Sequence, residues 1–190
     1  MTVLNLAAAA AVPADQADGS PLGWSLASVS EALCRLAAAA ETPQAVAAAT
    51  EAVWWITTAD AALNRHHPGP YGRALATLDP AARRATERSL AGLRFIRSQL
   101  GYRADPADFI KAQPAPGSSN STPAAAWTWS LLPPPSPQRA AAREASPYRE
   151  YRAQLAGRPL AEALNLTAGF LAQAHAAAPD RRRGISAPAR

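Results

Sequence analysis

Proline is the feature that most constrains how this chain can fold, because it recurs directly after residues that cap helices. The pairs Thr42-Pro43, Asp79-Pro80, Asp105-Pro106 and Ser146-Pro147 each precede a run with apolar residues at helical spacing. A side-chain oxygen at the cap accepts a backbone N–H of the first turn, and proline at the first helical position loses no hydrogen bond there. The pattern predicts four helix starts and a mainly helical protein.

Apolar residues spaced three and four apart predict the helices themselves. The predicted helices cover residues 24–40, 43–64, 80–100, 147–156 and 159–176, with a short helical turn at Phe109. The segment HHPGPYG is predicted to break the second helix, and Gly157 suits a left-handed cap between the last two. The predicted fold class is all-α, an up-and-down bundle of four or five helices.

The chain divides into one bundle domain, residues 22–178, between two tails. Residues 1–21 are predicted to be flexible or partly helical, although their apolar run resembles a signal peptide that lacks a charged start. Residues 179–190 are predicted to be a disordered basic tail. The proline-rich residues 113–138 form a long connection across the bundle surface, in which Trp127 and Trp129 alternate as in a short strand and lie against the bundle.

Charge and cysteine content narrow the functional classes. The formal net charge is +5, but much of it lies in residues 179–190, so the folded part is only mildly basic and nucleic acid is not indicated by charge alone. Cys34 is the only cysteine, which excludes an intramolecular disulfide and a Cys-rich zinc site and fits the cytoplasm. No apolar run reaches the ~18 residues of a membrane span. We expect no membrane partner, no cofactor and no bound metal.

The stretch GLRFIRSQLGY, residues 92–102, carries the candidate site. It places Arg94 and Arg97 one helical turn apart, beside an apolar face that Ile96 defines, and Asp60 lies in the apolar stripe of the second helix. A carboxylate and a guanidinium that both turn inward lose their hydration at high cost unless they meet. We therefore predict that Asp60 pairs with Arg97 or Arg94, either as a structural ion pair or as part of a functional cleft.

This stretch resembles the arginine-centred motif of HEPN domains, small helical bundles common in bacterial toxin and defence systems. In that family an arginine precedes a histidine by four to six residues, and these groups cut RNA in a cleft that a dimer usually forms. Here Arg97 matches the motif arginine, Tyr102 stands in the place of the histidine, and Asp60 would be the acidic partner. Tyrosine, with a pKa near ~10, is poorly suited to proton exchange near neutral pH, so the resemblance implies a bundle without efficient cleavage.

Other aromatic residues admit a structural or a functional interpretation. His66 and His67 are predicted to be a solvated helix end, because adjacent side chains point about 100° apart on a helix and do not readily share one metal ion. Trp54 and Trp55 flank the apolar stripe of the second helix, so they are predicted to belong to the core rather than to a platform that stacks on bases.

These observations predict a non-catalytic interaction protein, a degenerate HEPN-like bundle that binds a protein partner or a second copy of itself. Two alternatives remain open. One is an active HEPN-like ribonuclease in which His66 or His67 replaces the missing base, with RNA as its substrate. The other is a small-molecule carrier or enzyme with a pocket beneath Trp127 and Trp129.

Overall fold

A computed structural model of the chain describes residues 20–100, 105–113, 126–134 and 142–178. Within these ranges it contains six α-helices: α1 (Pro21–Ala38), α2 (Thr42–His66), α3 (Pro68–Thr77), α4 (Pro80–Leu100), α5 (Ala142–Gln154) and α6 (Leu160–Ala176). A 3-10 helix covers Pro106–Phe109, and the two strands are β1 (Ile110–Gln113) and β2 (Ala126–Trp129). The predicted all-α bundle is confirmed, with one helix more than expected. The predictions for residues 1–19, for the tail 179–190 and for most of the proline-rich connection lie outside the described residues.

The capping chemistry that the sequence suggests is present at α4, and at α2 it involves a different residue. Asp79 caps α4, since its Oδ1 accepts the N–H groups of Ala81 and Ala82, each at 2.9 Å. Helix α2 is capped by Glu41 and not by Thr42 as predicted. The side-chain oxygen of Gln44 accepts the backbone N–H of Ala40 at 3.0 Å and that of Glu41 at 3.4 Å, and the second bond is the one expected of a capping box.

The largest differences from the predicted helices are at α5 and α3. Helix α5 begins at Ala142, so Ser146 does not start it and Pro147 lies inside the helix. A proline a few residues beyond the start removes one helical hydrogen bond, a loss that did not end this helix. Helix α3 occupies most of the segment that was predicted only to break α2, because Pro68 and Pro70 suit a first helical turn as well as they suit a break.

Helix α6, like α2, packs against four other helices; its partners are α1, α2, α3 and α4. Its inward face carries Leu164, Phe170 and Leu171, all buried. Helices α1 and α2 form a closely packed hairpin, and α5 packs against α4. The core side chains of α1 and α2 include many alanines, which lets these helices approach closely.

The short sheet fastens the connecting segments to the bundle. Strands β1 and β2 are antiparallel, with Ile110 opposite Trp129. Beyond the sheet, the backbone of Trp129 exchanges hydrogen bonds with the turn before α6: its N–H donates to Arg158 at 3.0 Å, and its carbonyl accepts from Gly157 at 2.8 Å. Gly157 has φ of +76°, the left-handed conformation predicted for it. None of the helices within the described ranges is long and apolar enough to cross a membrane.

Candidate functional site

The centre of the predicted site is Asp60, a buried residue on the inward face of α2. Its Oδ2 accepts hydrogen bonds from Arg94 Nε at 2.8 Å and from Arg94 Nη2 at 2.5 Å. Its Oδ1 accepts a third bond, from the hydroxyl of Tyr71 at 2.8 Å. The carboxylate therefore joins α2, α3 and α4, and both of its oxygens have donors, as a buried carboxylate requires. Of the two arginines predicted to pair with Asp60, the partner is Arg94.

Tyr71 belongs to this cluster, although no pattern in the sequence indicates it. It lies on α3, and its ring meets that of Phe170 on α6 edge to face, with 5.1 Å between the centroids. Burial raises the pKa of the Tyr71 hydroxyl above its ordinary value, and the negative charge of Asp60 raises it further. The phenol is therefore a hydrogen-bond donor at neutral pH rather than a group that exchanges protons.

Arg97 has other partners than the acidic residue that the resemblance implied. Its Nη1 donates to Thr57 Oγ1 at 2.9 Å and to Thr58 Oγ1 at 3.3 Å. Its guanidinium carbon lies 4.3 Å from the ring centroid of Trp54, a cation–π contact. The resemblance implied that Asp60 would support Arg97, whereas Asp60 pairs with Arg94, one turn earlier on the helix.

Trp54 is not a core residue as predicted, since 53% of it is exposed. It lies on nearly the opposite side of α2 from Ala52 and Ala59, which face the bundle interior. Burying it would therefore require α2 to rotate about its own axis by nearly half a turn. Trp55, next in the chain, is half buried and packs against the core. The prediction treated the pair as one unit, whereas neighbouring residues on a helix point to different sides.

An open apolar cleft of about 730 Å³ lies on the outer surface of the first half of α2. We call it the α2 cleft; along the helix it is lined by Pro43, Val46, Ala47, Thr50, Trp54 and Trp55. Glu51 and Asp105 also line it, and Glu51 is already paired with Arg35 at 2.5 Å. In the sequence, Val46 and Trp54 indicate a second apolar face on this helix. When the positions of the neighbouring helices are unknown, that face cannot be distinguished from a wider core stripe.

The tryptophans of the connection are both buried against the bundle, as predicted. Trp127 and Trp129 point to the same side of β2, and the indole N–H of Trp127 donates to the carbonyl of Ala39 at 3.3 Å. Their indoles fill the core, which counts against a ligand pocket beneath them.

All three histidines lie towards the ends of helices. His66 and His67 are at the C-terminal end of α2, and His175 is near that of α6. His66 is nine residues beyond Thr57, which corresponds to about 13 Å along the helix axis from the hydroxyl that holds Arg97. In the described part of the chain no three His, Cys, Asp or Glu side chains form a group that could hold a metal ion. Tyr102, the residue in place of the motif histidine, lies outside the described residues.

The fold and this site define an all-α helical bundle with a buried ion-pair cluster and an apolar cleft on one outer helix. Comparisons of the chain with protein-family models, with curated proteins and with solved structures found no match. The function must therefore be inferred from the geometry of the chain itself.

Proposed function

We propose that this protein is a non-catalytic interaction protein, a degenerate HEPN-like helical bundle that binds a protein partner or a second copy of itself. The observation that carries the proposal is the α2 cleft. An exposed apolar depression with a large aromatic side chain in it is unfavourable in water unless a partner covers it. Trp54 is the kind of residue that dominates binding energy at such surfaces.

The polar cluster supports a structural role. The carboxylate of Asp60 accepts hydrogen bonds on both oxygens from Tyr71 and Arg94, so neither oxygen is left without a donor. Arg97 is held by two hydroxyls and an indole. General acid–base catalysis needs a group that exchanges a proton within hydrogen-bond reach of the reacting atom. Among the described partners of Arg97 there is no such group, and this favours binding over cleavage.

The resemblance to HEPN domains remains part of the proposal. In this interpretation the bundle has kept the arginine on α4 and has lost the histidine that would complete the motif at Tyr102. Arg97 would then serve to hold the edge of a binding surface through Trp54 and Thr57. We also propose a cytoplasmic location, because a single exposed thiol, Cys34, persists reduced in that compartment.

The test is affinity capture with the full-length protein and two charge-introducing variants. Trp54→Glu places a charge in the α2 cleft, and Trp24→Glu places one at a similarly exposed indole on α1 that does not line the cleft. We expect a protein that wild type and Trp24→Glu retain and that Trp54→Glu loses, because a charge in an apolar interface must be desolvated on binding. Circular dichroism of all three should be the same.

Cleavage of RNA by the protein is the outcome that would contradict this proposal. Wild type and Arg97→Ala are incubated with a mixed RNA pool, and both cleavage and retardation in a gel are followed. We expect neither in either protein. Cleavage by wild type that Arg97→Ala abolishes, with the helical content unchanged, would establish the ribonuclease in its place.

A further inference from the structure

We propose that residues 3–12 of the same chain occupy the α2 cleft when no partner is bound, and that a partner has to displace them. These residues precede the part of the chain that the structure describes. The inference rests on the proposed function and adds the regulation of its binding site. It is drawn from the length and charge of the cleft and from the place where the described chain begins.

The apolar run at residues 3–12 matches the length of the cleft. From Pro43 to Trp55 the lining residues cover twelve steps along α2, about 18 Å at the rise of an α-helix. The run reads VLNLAAAAAV, in which every residue except Asn5 is apolar. Ten residues span about 15 Å as a helix, which alanine favours, and about 33 Å as an extended chain. Only the helical form fits within the cleft, and Pro13 would end such a helix where the run ends.

The described chain begins close enough to the cleft for this arrangement. Arg35 on α1 pairs with Glu51 of the cleft lining at 2.5 Å, so this part of α1 lies beside the cleft. Ser20, which caps α1, is fifteen residues before Arg35, about 22 Å along the helix axis. Because α1 and α2 form an antiparallel hairpin, Ser20 lies beyond the Trp54 end of the cleft, about 18 Å from the level of that indole. Residues 13–19 reach about 23 Å when extended, which is enough to bring the apolar run to that end.

The charges at the cleft favour a neutral occupant. In the described part of the chain, the charged residues that line it are Glu51 and Asp105, and both are acidic. An acidic segment would be repelled by them, and a basic one would gain little, because Glu51 is already in an ion pair and Asp105 is exposed to solvent. Residues 3–12 carry no charge, and the acidic residues that follow them fall within residues 13–19, outside the cleft.

The tether gives this segment an advantage over any free ligand. A short linker holds its segment at a millimolar effective concentration, so even weak packing in the cleft is populated. A helix of ten residues is marginal in water by itself, and contact with the cleft supplies the apolar burial that it lacks. A partner then binds with an affinity reduced by the fraction of molecules whose cleft is open. Release of residues 3–12 therefore controls access to the binding site.

Acrylamide quenching of tryptophan fluorescence tests the occupancy in the full-length protein. Leu4 and Leu6 point to nearly opposite sides of a helix, so in Leu4→Glu/Leu6→Glu a glutamate faces the cleft whichever side docks. We expect this variant to be quenched more strongly than wild type, because Trp54 becomes accessible. Ala14→Glu/Gln16→Glu, which adds the same charge outside the apolar run, is the matched control and should be quenched like wild type.

Trp54→Phe in both backgrounds assigns the signal to the cleft. The difference between wild type and Leu4→Glu/Leu6→Glu should disappear when this indole is absent. Equal quenching of wild type and Leu4→Glu/Leu6→Glu would overturn the inference and leave the proposed function standing. A difference that persists in the Trp54→Phe background would also overturn it, because the segment would then cover another tryptophan.

Affinity capture tests the competition with a partner. We expect Leu4→Glu/Leu6→Glu to bind the partner that Trp54→Glu loses about tenfold more tightly than wild type does, if the segment covers the cleft in about nine of ten molecules. Equal binding would overturn the regulation. Stronger quenching without any captured partner would contradict the proposed function and support the occupancy, so the two failures are distinguishable.

Light scattering over a dilution series tests whether the segment comes from the same chain. We expect a monomer for wild type and for Leu4→Glu/Leu6→Glu. A wild-type dimer that both Leu4→Glu/Leu6→Glu and Trp54→Glu dissociate would mean that residues 3–12 of a second copy fill the cleft. That result would overturn the inference of an occupant from the same chain.

Discussion

Asp60 and Arg94 form an ion pair in which the two charges have very different surroundings. The side chain of Asp60 is 2% exposed, whereas that of Arg94 is 49% exposed. If the pair is broken, the guanidinium can turn into water, but the carboxylate cannot. The energetic consequence therefore depends on which residue is removed.

Arg94→Met should cost more stability than Asp60→Asn. The first leaves a buried carboxylate with Tyr71 as its remaining donor, and we expect a loss of about 3–5 kcal/mol. The second removes the buried charge, and we expect about 1–3 kcal/mol. Urea unfolding at neutral pH measures both, and the double variant should be more stable than Arg94→Met alone. If Asp60→Asn were the more damaging change, the carboxylate would have to be hydrated rather than buried.

At the scale of elements, the contact between α4 and α5 depends on the absence of a side chain. A Cβ built on Gly92 would lie 2.8 Å from Leu155 Cδ1 and 3.3 Å from the Cα of Tyr151. The side chain of Leu155 is fully buried and the other neighbour is backbone, so neither moves easily. The two helices approach each other closely at this point because the residue is glycine.

Gly92→Ala should therefore destabilise the protein although alanine favours helices. Overpacking at a helix contact costs about 1–3 kcal/mol, which exceeds the gain of about 1 kcal/mol from helix propensity. Gly169→Ala on α6 is the matched control, because a Cβ there meets nothing within 4 Å. We expect that variant to be more stable by about 0.5–1 kcal/mol in thermal unfolding. A stabilising Gly92→Ala would mean that α5 can shift away from α4 without loss.

The sequence predicted those features of the helices that depend only on residues near each other in the chain. The apolar stripes of α1, α2, α4 and α6 and the cap at Asp79 depend on local spacing and local hydrogen bonds, so they could be predicted. The start of α5 could not, because a proline at its sixth position is compatible with either boundary. The choice between Arg94 and Arg97 at Asp60 depends on how far α4 slides along α2, which no local pattern records.

The α2 cleft and the contact of Tyr71 with Asp60 could not be predicted from the sequence, for a related reason. The exposure of Trp54 depends on which sides of α2 the other helices cover. Tyr71 reaches Asp60 only because α3 folds back against α2 and α6. Both facts concern the arrangement of helices, whereas apolar periodicity gives only the orientation of each helix relative to some core.

At the scale of the whole molecule, α6 joins parts of the bundle that are distant in sequence. It contacts helices from α1 to α4, and strand β2 packs against it as well. Helix α2 also contacts four helices, α1, α3, α4 and α6, so neither half of the bundle keeps its core when the other half unfolds. We therefore expect the described domain to unfold in a single cooperative transition.

Leu171→Ala tests this expectation. The side chain is fully buried on α6, so its truncation should cost about 2–5 kcal/mol. Hydrogen exchange should speed up in both the α1–α2 hairpin and α4, because both pack against α6. Leu131→Ala, at a residue that is 65% exposed, is the control and should change stability by less than about 0.5 kcal/mol. Faster exchange confined to one of the two regions would indicate separate unfolding units.

The position of Cys34 has a practical consequence for such experiments. It is the only thiol in the chain, and it is exposed on the surface of α1. A maleimide dye or a nitroxide label would therefore attach at one known position, with no residue replaced and no second site to separate. The natural chain can be immobilised, tracked or measured by distance methods as it is.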